Sequence, residues 1–141
     1  MKDVKVLVID GDRRILEAVA TSLTVPNYNL KTLTATDAAS GLKTIEKELP
    51  NLILLDLNIA GVSGFSLVET IRKVPKWRHI KIIILTSEVT KEKLWESIDL
   101  DIDDFISKPF DLFDLKARVF QQLHHQELGS NISNQGGADS Q

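Results

Sequence analysis

The chain has 141 residues and a formal net charge of −3 at pH 7, with 43% apolar and 26% charged residues. This composition is typical of one globular domain. The sequence has no long cluster of Lys and Arg of the kind that direct nucleic-acid binding requires. The sequence contains no cysteine, which excludes disulfides and thiolate metal sites. It also contains no apolar run close to the ~20 residues that a helix needs to cross a bilayer. We therefore expect a cytoplasmic domain that binds neither nucleic acid nor membrane.

Five short apolar runs predict the strands of a sheet. The first, third and fourth runs are almost continuously apolar, as in strands that helices cover on both faces. The second run alternates apolar residues with Lys and Thr, which is typical of an edge strand with one wetter side. In chain order, the predicted strands are Val4–Ile9, Leu30–Ala35, Leu52–Leu55, Ile80–Leu85 and Ile102–Ile106.

Amphipathic stretches between and after these runs predict five helices. A proline ends each of the first three, and Thr36 or Asp37 is expected to cap the second. The fourth helix, at Thr90–Ile98, is weakly amphipathic, and we expect Leu94 and Ile98 to face inward. The other predicted inward positions are Ile15, Leu16, Val19 and Leu23, then Ala38, Leu42, Ile45 and Leu49, then Leu67, Ile71 and Val74, and finally Leu112, Leu115, Val119 and Leu123.

The alternation of strand and helix predicts the fold class. Five strand–helix units imply right-handed crossovers and a doubly wound parallel sheet. The predicted fold is therefore α/β, a flavodoxin-like sheet of five parallel strands in the order 2-1-3-4-5, with five helices. We assign this domain to residues 1–125. Residues 126–141 are rich in Gly, Ser, Asn and Gln, which predicts a flexible tail or the start of a linker.

Polar residues follow four of the predicted strands. Asp10 follows the first strand, and Asp56 follows the third. Thr86 follows the fourth strand, and Lys108 follows the fifth. Each residue alone has an ordinary explanation, such as a strand end or a surface lysine, and Asp12 is more often a helix N-cap than a ligand. Because the carboxyl ends of parallel strands share one edge, the four side chains are expected to meet and to supply the groups that phosphoryl transfer needs.

The order and spacing of these motifs resemble the receiver domain of two-component response regulators, which is a CheY-like domain. The resemblance runs from about Lys2 to His124. The segments that carry it are Val6–Asp10, Leu52–Asn58, Gly64, Ile82–Ser87 and Asp103–Phe110. It implies a phosphoprotein of a phosphorelay, without enzymatic turnover beyond self-phosphorylation from small phosphodonors and self-dephosphorylation.

The resemblance assigns a role to each residue at the strand ends. Asp56 would be the phosphoacceptor, phosphorylated by a histidine kinase or a phosphotransfer protein. Asp10, Asp56 and the backbone carbonyl of Asn58 would hold Mg²⁺. Thr86 would bond a phosphoryl oxygen, and Lys108 would pair with the phosphate.

The resemblance also implies a route for the signal. Thr86 and an aromatic residue of the fifth strand, here Phe105, would change position on phosphorylation, although Phe105 also fits a plain core role. The output face would be the fourth helix, the fifth strand and the fifth helix. Trp95 on that face is either an anchor for a downstream protein or tethered output domain, or an isolated exposed aromatic residue. The Lys108–Pro109 peptide bond is expected to be cis.

The acidic pocket departs from the family pattern at one position. Receivers usually carry two adjacent acids after the first strand, and here the second position is Gly11. A unit charge ~4 Å from a divalent cation supplies roughly 8 kcal/mol of gross attraction at an effective dielectric of ~20, most of which desolvation cancels. We therefore expect weakened Mg²⁺ binding and slower phosphorylation, but not inactivity.

Two other functions agree with part of the pattern. Gly11 favours a pseudo-receiver, which binds proteins without being phosphorylated, whereas Asp56, Thr86 and Lys108 favour retained chemistry. The run Asp10–Asp12 imitates the motif of haloacid-dehalogenase-type phosphatases, but the lysine follows the last acidic pair, which reverses the order in those enzymes. A flavin-binding flavodoxin is disfavoured because no Ser/Thr/Gly-rich loop follows the first strand.

Overall fold

The computed structural model describes residues 2–26 and 28–135. In this part of the chain, five strands form a parallel sheet whose order is 2-1-3-4-5 when its strands are numbered along the chain. Together with five α-helices, this confirms the predicted flavodoxin-like fold. The elements are β1 (Lys2–Ile9), α1 (Arg13–Ser22), β2 (Tyr28–Ala35), α2 (Ala38–Glu48), β3 (Leu52–Asp56), β4 (Asn58–Ile59), β5 (Val62–Ser63), α3 (Gly64–Arg72), a 3₁₀ turn (Pro75–Trp77), β6 (Lys81–Thr86), α4 (Lys91–Asp99), β7 (Asp104–Ser107) and α5 (Leu112–Gln135).

The hydrophobic core lies on both faces of the sheet. Alternate residues of β1 point to opposite faces, so that Leu7 joins the cluster with α2 and α3, and Val8 joins the cluster with α1 and α5. The central strands β3 and β6 are buried almost throughout, because helices cover them on both sides. The strand β2 lies at the sheet edge and alternates in exposure, as its Lys and Thr residues predict.

Side chains cap the first two helices and fix where they begin. The Asp12 carboxylate accepts a hydrogen bond from the backbone N–H of Arg14 at 2.9 Å, which starts α1. Of the two candidates for α2, Asp37 is the cap, and its carboxylate accepts from the N–H of Ser40 at 2.7 Å. Both contacts satisfy backbone donors that have no partner within the first turn of a helix.

The predicted inward face of α4 is wrong. Leu94 and Ile98 are 42% and 67% exposed, whereas Ser97 is buried. Ser97 is the buried residue of the helix, and Leu100 beyond its end packs against the hydrophobic core, so the apolar stripe of the helix faces outward. Two other residues predicted to face inward are also exposed: Leu49, which caps the end of α2 with a left-handed backbone, and Leu112, the first residue of α5.

A short hairpin after β3 was not predicted. β4 pairs antiparallel with β5, and Ala60 and Gly61 between them have φ angles of 49° and 82°. Positive φ at both central residues is the requirement of the tight turn that suits a two-residue hairpin. The hairpin leads directly into α3, where Gly64 packs against the backbone of β3: a Cβ there would lie 2.6 Å from the carbonyl oxygen of Asp56.

The helix α5 extends to Gln135, so its last turns fall within the segment that was predicted to be a tail. Within that segment, the amide nitrogen of Gln126 donates to the carbonyl oxygens of Asn51 and His79, at 3.0 and 2.9 Å. The domain boundary at residue 125 stays a prediction, and residues 136–141 of the predicted tail lie outside the described residues. In the described part of the chain, no helix has the length and apolar character needed to cross a membrane.

Candidate functional site

Four adjacent strands bring the predicted site residues to one edge of the sheet. Asp56 and Thr86 are the last residues of β3 and β6, whereas Asp10 and Lys108 directly follow β1 and β7. The Lys108 ammonium lies 2.8 Å from Asp10 Oδ2 and 3.5 Å from Asp56 Oδ1. A single lysine therefore bridges two carboxylates that are 46 residues apart in the sequence.

Both carboxylates are removed from solvent, although to different degrees. The Asp10 side chain is 2% exposed, and the Asp56 side chain is 16% exposed. Asp10 Oδ1 also accepts from the backbone N–H of Asp12 at 2.9 Å. Burial raises the pKa of Asp56 above its usual value, and the neighbouring charge of Asp10 raises it further. Lys108 and the N–H of Asn58 act in the opposite direction on this pKa.

The Thr86 hydroxyl is buried beside this acidic pair. Its oxygen accepts a hydrogen bond from the backbone N–H of Glu88 at 3.0 Å, which leaves the hydroxyl proton available to another acceptor. The Thr86 carbonyl accepts from the N–H of Lys108 at 2.8 Å, and this contact joins β6 to the loop after β7. The Lys108–Pro109 peptide bond is cis, as the family resemblance implied.

The two aromatic residues of the predicted signalling route lie in different settings. Phe105 on β7 is half-buried and packs against the hydrophobic core, with its ring centroid 6.3 Å from that of Phe65. Trp95 on α4 is exposed and shares the outer surface of that helix with Leu94 and Ile98. Exposure of Trp95 agrees with a role as an anchor, and the roles of both residues stay predictions.

The backbone at Gly11 leaves room for a side chain. A Cβ built there would be 4.0 Å from its nearest neighbour, the carbonyl oxygen of Thr36. The carboxylate of Asp12 does not fill this space, because it caps α1 and pairs with the Arg14 guanidinium at 3.2 Å. That hydrogen bond to Arg14 also holds the pKa of Asp12 below its usual value. Among the described residues, no cluster of three or more His, Cys, Asp or Glu side chains is placed to hold a metal ion.

A cavity of about 640 Å³ opens beside Asp56 and reaches across to α4. Thr86 and Lys108 line it, and so do Glu88 and Lys93, which belong to none of the predicted site residues. Glu88 could have been found from its position two residues after Thr86. Lys93 could not, because the apolar pattern of α4 predicts that Leu94 and Ile98, and not Lys93, face inward.

The doubly wound sheet thus carries two acids, a hydroxyl and a lysine at the carboxyl edge of its strands, where sites form in folds of this class. The chain matches the family described as "Response regulator receiver domain" over residues 6–120. The chain therefore belongs to the response regulator receiver domains of two-component systems. Since the family accounts for most of the chain, the resemblance noted in the sequence is confirmed.

Individual relatives agree with this assignment. The chain is 30% identical over 134 residues to "Probable transcriptional regulator ycf27" of Porphyridium aerugineum, covering 95% of this chain and 54% of that protein. It is also 30% identical to "Transcriptional regulatory protein KdpE" of Mycobacterium tuberculosis, covering 81% of this chain and 48% of the relative. The chain thus spans about half the length of these curated relatives.

A solved structure shows the same fold. The response regulator receiver domain protein (CheY-like) from Methanospirillum hungatei superposes with a TM-score of 0.78 at 28% identity. The match covers 89% of this chain and 98% of that one.

Proposed function

We propose that Asp56 accepts a phosphoryl group from a phosphohistidine of a kinase or phosphotransfer protein. The observation that supports this is the Lys108 ammonium between Asp10 and Asp56, 2.8 and 3.5 Å from their oxygens, in a cavity that Thr86 also lines. An acceptor carboxylate, a positive charge and a hydroxyl donor are the groups that the transfer requires. Their position at the open edge of the sheet allows a donor to approach.

The transfer follows from the chemistry of these groups. An Asp56 carboxylate oxygen attacks the phosphorus atom, a P–O bond forms, and the P–N bond to the donor imidazole breaks. Lys108 stabilises the negative charge of the transferred group, and the Thr86 hydroxyl can donate to a phosphoryl oxygen while it still accepts from Glu88 N–H. Phosphorylation replaces about one negative charge on Asp56 by about two. Thr86 and Phe105 are the side chains that we expect to respond to this change.

The donor atoms at the site fit Mg²⁺, although with fewer charges than is usual in the family. Asp10 and Asp56 present carboxylate oxygens to one point, and Asn58 follows in β4 with its backbone carbonyl. Mg²⁺ prefers oxygen ligands and commonly takes one or two carboxylates together with water and phosphate oxygens. When bound, the ion would neutralise charge on the transferred phosphoryl group. With Gly11 in place of a third acid, we expect this binding to be weak.

The outer surface of α4 supports signalling to another protein. Leu94, Trp95 and Ile98 are exposed together on one helix that begins next to the cavity. Exposed apolar and aromatic residues that adjoin one another are typical of protein interfaces. We propose that the face formed by α4, β7 and α5 transmits the state of Asp56 to a downstream protein or a tethered output domain. The lengths of the curated relatives are consistent with such a domain.

A phosphorylation-independent pseudo-receiver is the second candidate, and Gly11 is the observation that favours it. The phosphatase alternative has less support. The Asp12 carboxylate, which that chemistry would need in the site, is engaged by the first turn of α1 and by Arg14. The family match accounts for the same residues without this difficulty.

Incubation with acetyl phosphate and excess Mg²⁺, followed by intact mass spectrometry, tests the proposal. We expect an increase of about 80 Da, one phosphoryl group, that is lost in Asp56→Asn. Asp114→Asn is the matched control, because Asp114 is an exposed acid on α5 that pairs only with Arg118 in the described structure. An unmodified wild-type protein under these conditions would contradict the proposal and favour the pseudo-receiver instead.

A further inference from the structure

Lys93 turns toward the cavity beside Asp56 although it lies on an exposed helix. Its neighbours Lys91 and Glu92 are exposed, whereas the Lys93 side chain is 25% exposed and lines the same cavity as Asp56 and Thr86. Lysine carries a compact charge on a flexible four-carbon stem and usually extends into water. Its ammonium pairs with Glu88, which lines the same cavity, so Lys93 is a second lysine in the lining besides Lys108.

A weak ion pair holds Lys93 in its present position. Its Nζ is 3.5 Å from Glu88 Oε1, and the Glu88 side chain is 70% exposed. Exposed pairs of this kind contribute at most about 1 kcal/mol, so little free energy opposes their exchange for a stronger partner. Glu88 is also the residue whose backbone N–H donates to the Thr86 hydroxyl at 3.0 Å. The pair therefore joins the first turn of α4 to the residue expected to contact the phosphoryl group.

The two lysines of the cavity differ in how strongly they are engaged. Lys108 is held by Asp10 and Asp56 at 2.8 and 3.5 Å, and these two acids more than offset its single positive charge. Addition of a phosphoryl group to Asp56 brings about one further negative charge into the cavity. Within the described structure, Lys93 is held only by a weak ion pair, so its ammonium can move to pair with that new charge.

We infer that Lys93 is a second phosphate-binding residue, which Glu88 holds in reserve while Asp56 is unmodified. This inference rests on the proposed phosphorylation of Asp56. When the phosphoryl group is present, the Lys93 ammonium leaves Glu88 and pairs with a phosphoryl oxygen. Because Lys93 lies in the first turn of α4, this exchange connects the state of Asp56 to the helix that carries Trp95.

The binding of beryllofluoride, a mimic of the phosphoryl group, tests the inference when Mg²⁺ is present in excess and ¹⁹F NMR separates bound from free probe. We expect Lys93→Gln to weaken binding roughly two- to fivefold, the scale of one exposed ion pair, and Lys93→Arg to retain it. Glu88→Gln should strengthen binding by a similar factor, because it releases Lys93. The matched control is Lys91→Gln, which removes the same charge from the same helix outside the cavity and should leave binding unchanged.

The double variant Glu88→Gln/Lys93→Gln separates a reserve cation from a structural pair. If Glu88 acts by restraining Lys93, its substitution should have little effect once Lys93 is Gln. If Glu88→Gln and Lys93→Gln shift binding in the same direction, or if Lys93→Gln behaves like Lys91→Gln, the inference is wrong while the proposed function stands. If the wild-type protein neither binds beryllofluoride nor gains a phosphoryl group, both the proposed function and the inference about Lys93 are wrong.

Discussion

Substitution of Gly11 by Asp adds the third carboxylate that receivers usually carry at this position. The backbone has room for it, because a Cβ at Gly11 would be 4.0 Å from its nearest neighbour, the carbonyl oxygen of Thr36. The position is exposed and directly follows Asp10, so that a new carboxylate can reach the acidic pair without a change in the core. The substitution therefore changes the charge of the site and leaves its packing unchanged.

The effect of Gly11→Asp on the free energy of Mg²⁺ binding has an upper limit and an expected value. An additional unit charge ~4 Å from a divalent cation contributes roughly 8 kcal/mol of gross attraction at an effective dielectric of ~20. Desolvation of the carboxylate and of the ion cancels most of this. We expect Gly11→Asp to tighten Mg²⁺ binding by at least about tenfold, which corresponds to ~1.4 kcal/mol.

The metal-free protein should respond in the opposite direction. Asp10 and Asp56 share the Lys108 ammonium, at 2.8 and 3.5 Å, and a third carboxylate would add repulsion without a further cation. We expect Gly11→Asp to lower the melting temperature in EDTA by roughly 2–4 °C and to raise it above that of the wild type in excess Mg²⁺. The reversal is the signature of a metal site, because a simple packing defect would lower both values.

Isothermal titration with Mg²⁺ and thermal unfolding with and without the ion measure these effects. The matched control is Gly11→Asn, which has nearly the same shape as the Asp substitution and no charge. Equal Mg²⁺ affinity in the wild type, Gly11→Asp and Gly11→Asn would refute the reasoning, since the missing acid would then have no influence on the site.

Three further predictions concern stability. Because the folded-state pKa of Asp56 is raised, its ionisation costs stability at neutral pH. Asp56→Asn in EDTA should therefore raise the melting temperature at pH 7 by roughly 2–4 °C. This gain should shrink as the pH falls toward the usual pKa of 3.8, and a gain that does not change with pH would contradict the raised pKa. Arg72→Met should lower the free energy of unfolding in urea by about 3 kcal/mol, because the buried guanidinium donates to the carbonyl oxygens of Ile80 and Asp101 and pairs with Asp103. The control Arg118→Met removes two more exposed ion pairs, with Asp104 and Asp114, and should cost clearly less; equal losses would exclude burial as the cause. Gly64→Ala should cost about 1–3 kcal/mol of unfolding free energy in the same assay, because its Cβ would lie 2.6 Å from the Asp56 carbonyl oxygen. The control Gly11→Ala has open space around its Cβ and should be close to neutral. If Gly64→Ala is as stable as the wild type, β3 and α3 can move apart to make room for the methyl group.

The sheet and the position of the site could be predicted because both depend on strongly patterned segments. Continuous apolar runs such as Leu52–Leu55 are stable only between two layers of helices, which requires a parallel sheet with crossovers. A parallel sheet places the carboxyl ends of its strands at one edge, so the order of the sequence alone brings Asp10, Asp56, Thr86 and Lys108 together. Their functional roles were inferred from the family resemblance.

The tertiary structure decided the features for which the local pattern was weak or carried no signal. The helix α4 has too little apolar character to fix which side faces the sheet. In the folded chain Ser97 is buried and Leu100 packs against the core, which leaves Leu94 and Ile98 exposed. The same orientation places Lys93 beside Glu88 in the cavity. Side-chain pairing depends on how a helix is rotated against its neighbours. The sequence therefore determined the acidic site, and the folded chain determined which lysine of α4 lines the cavity beside it.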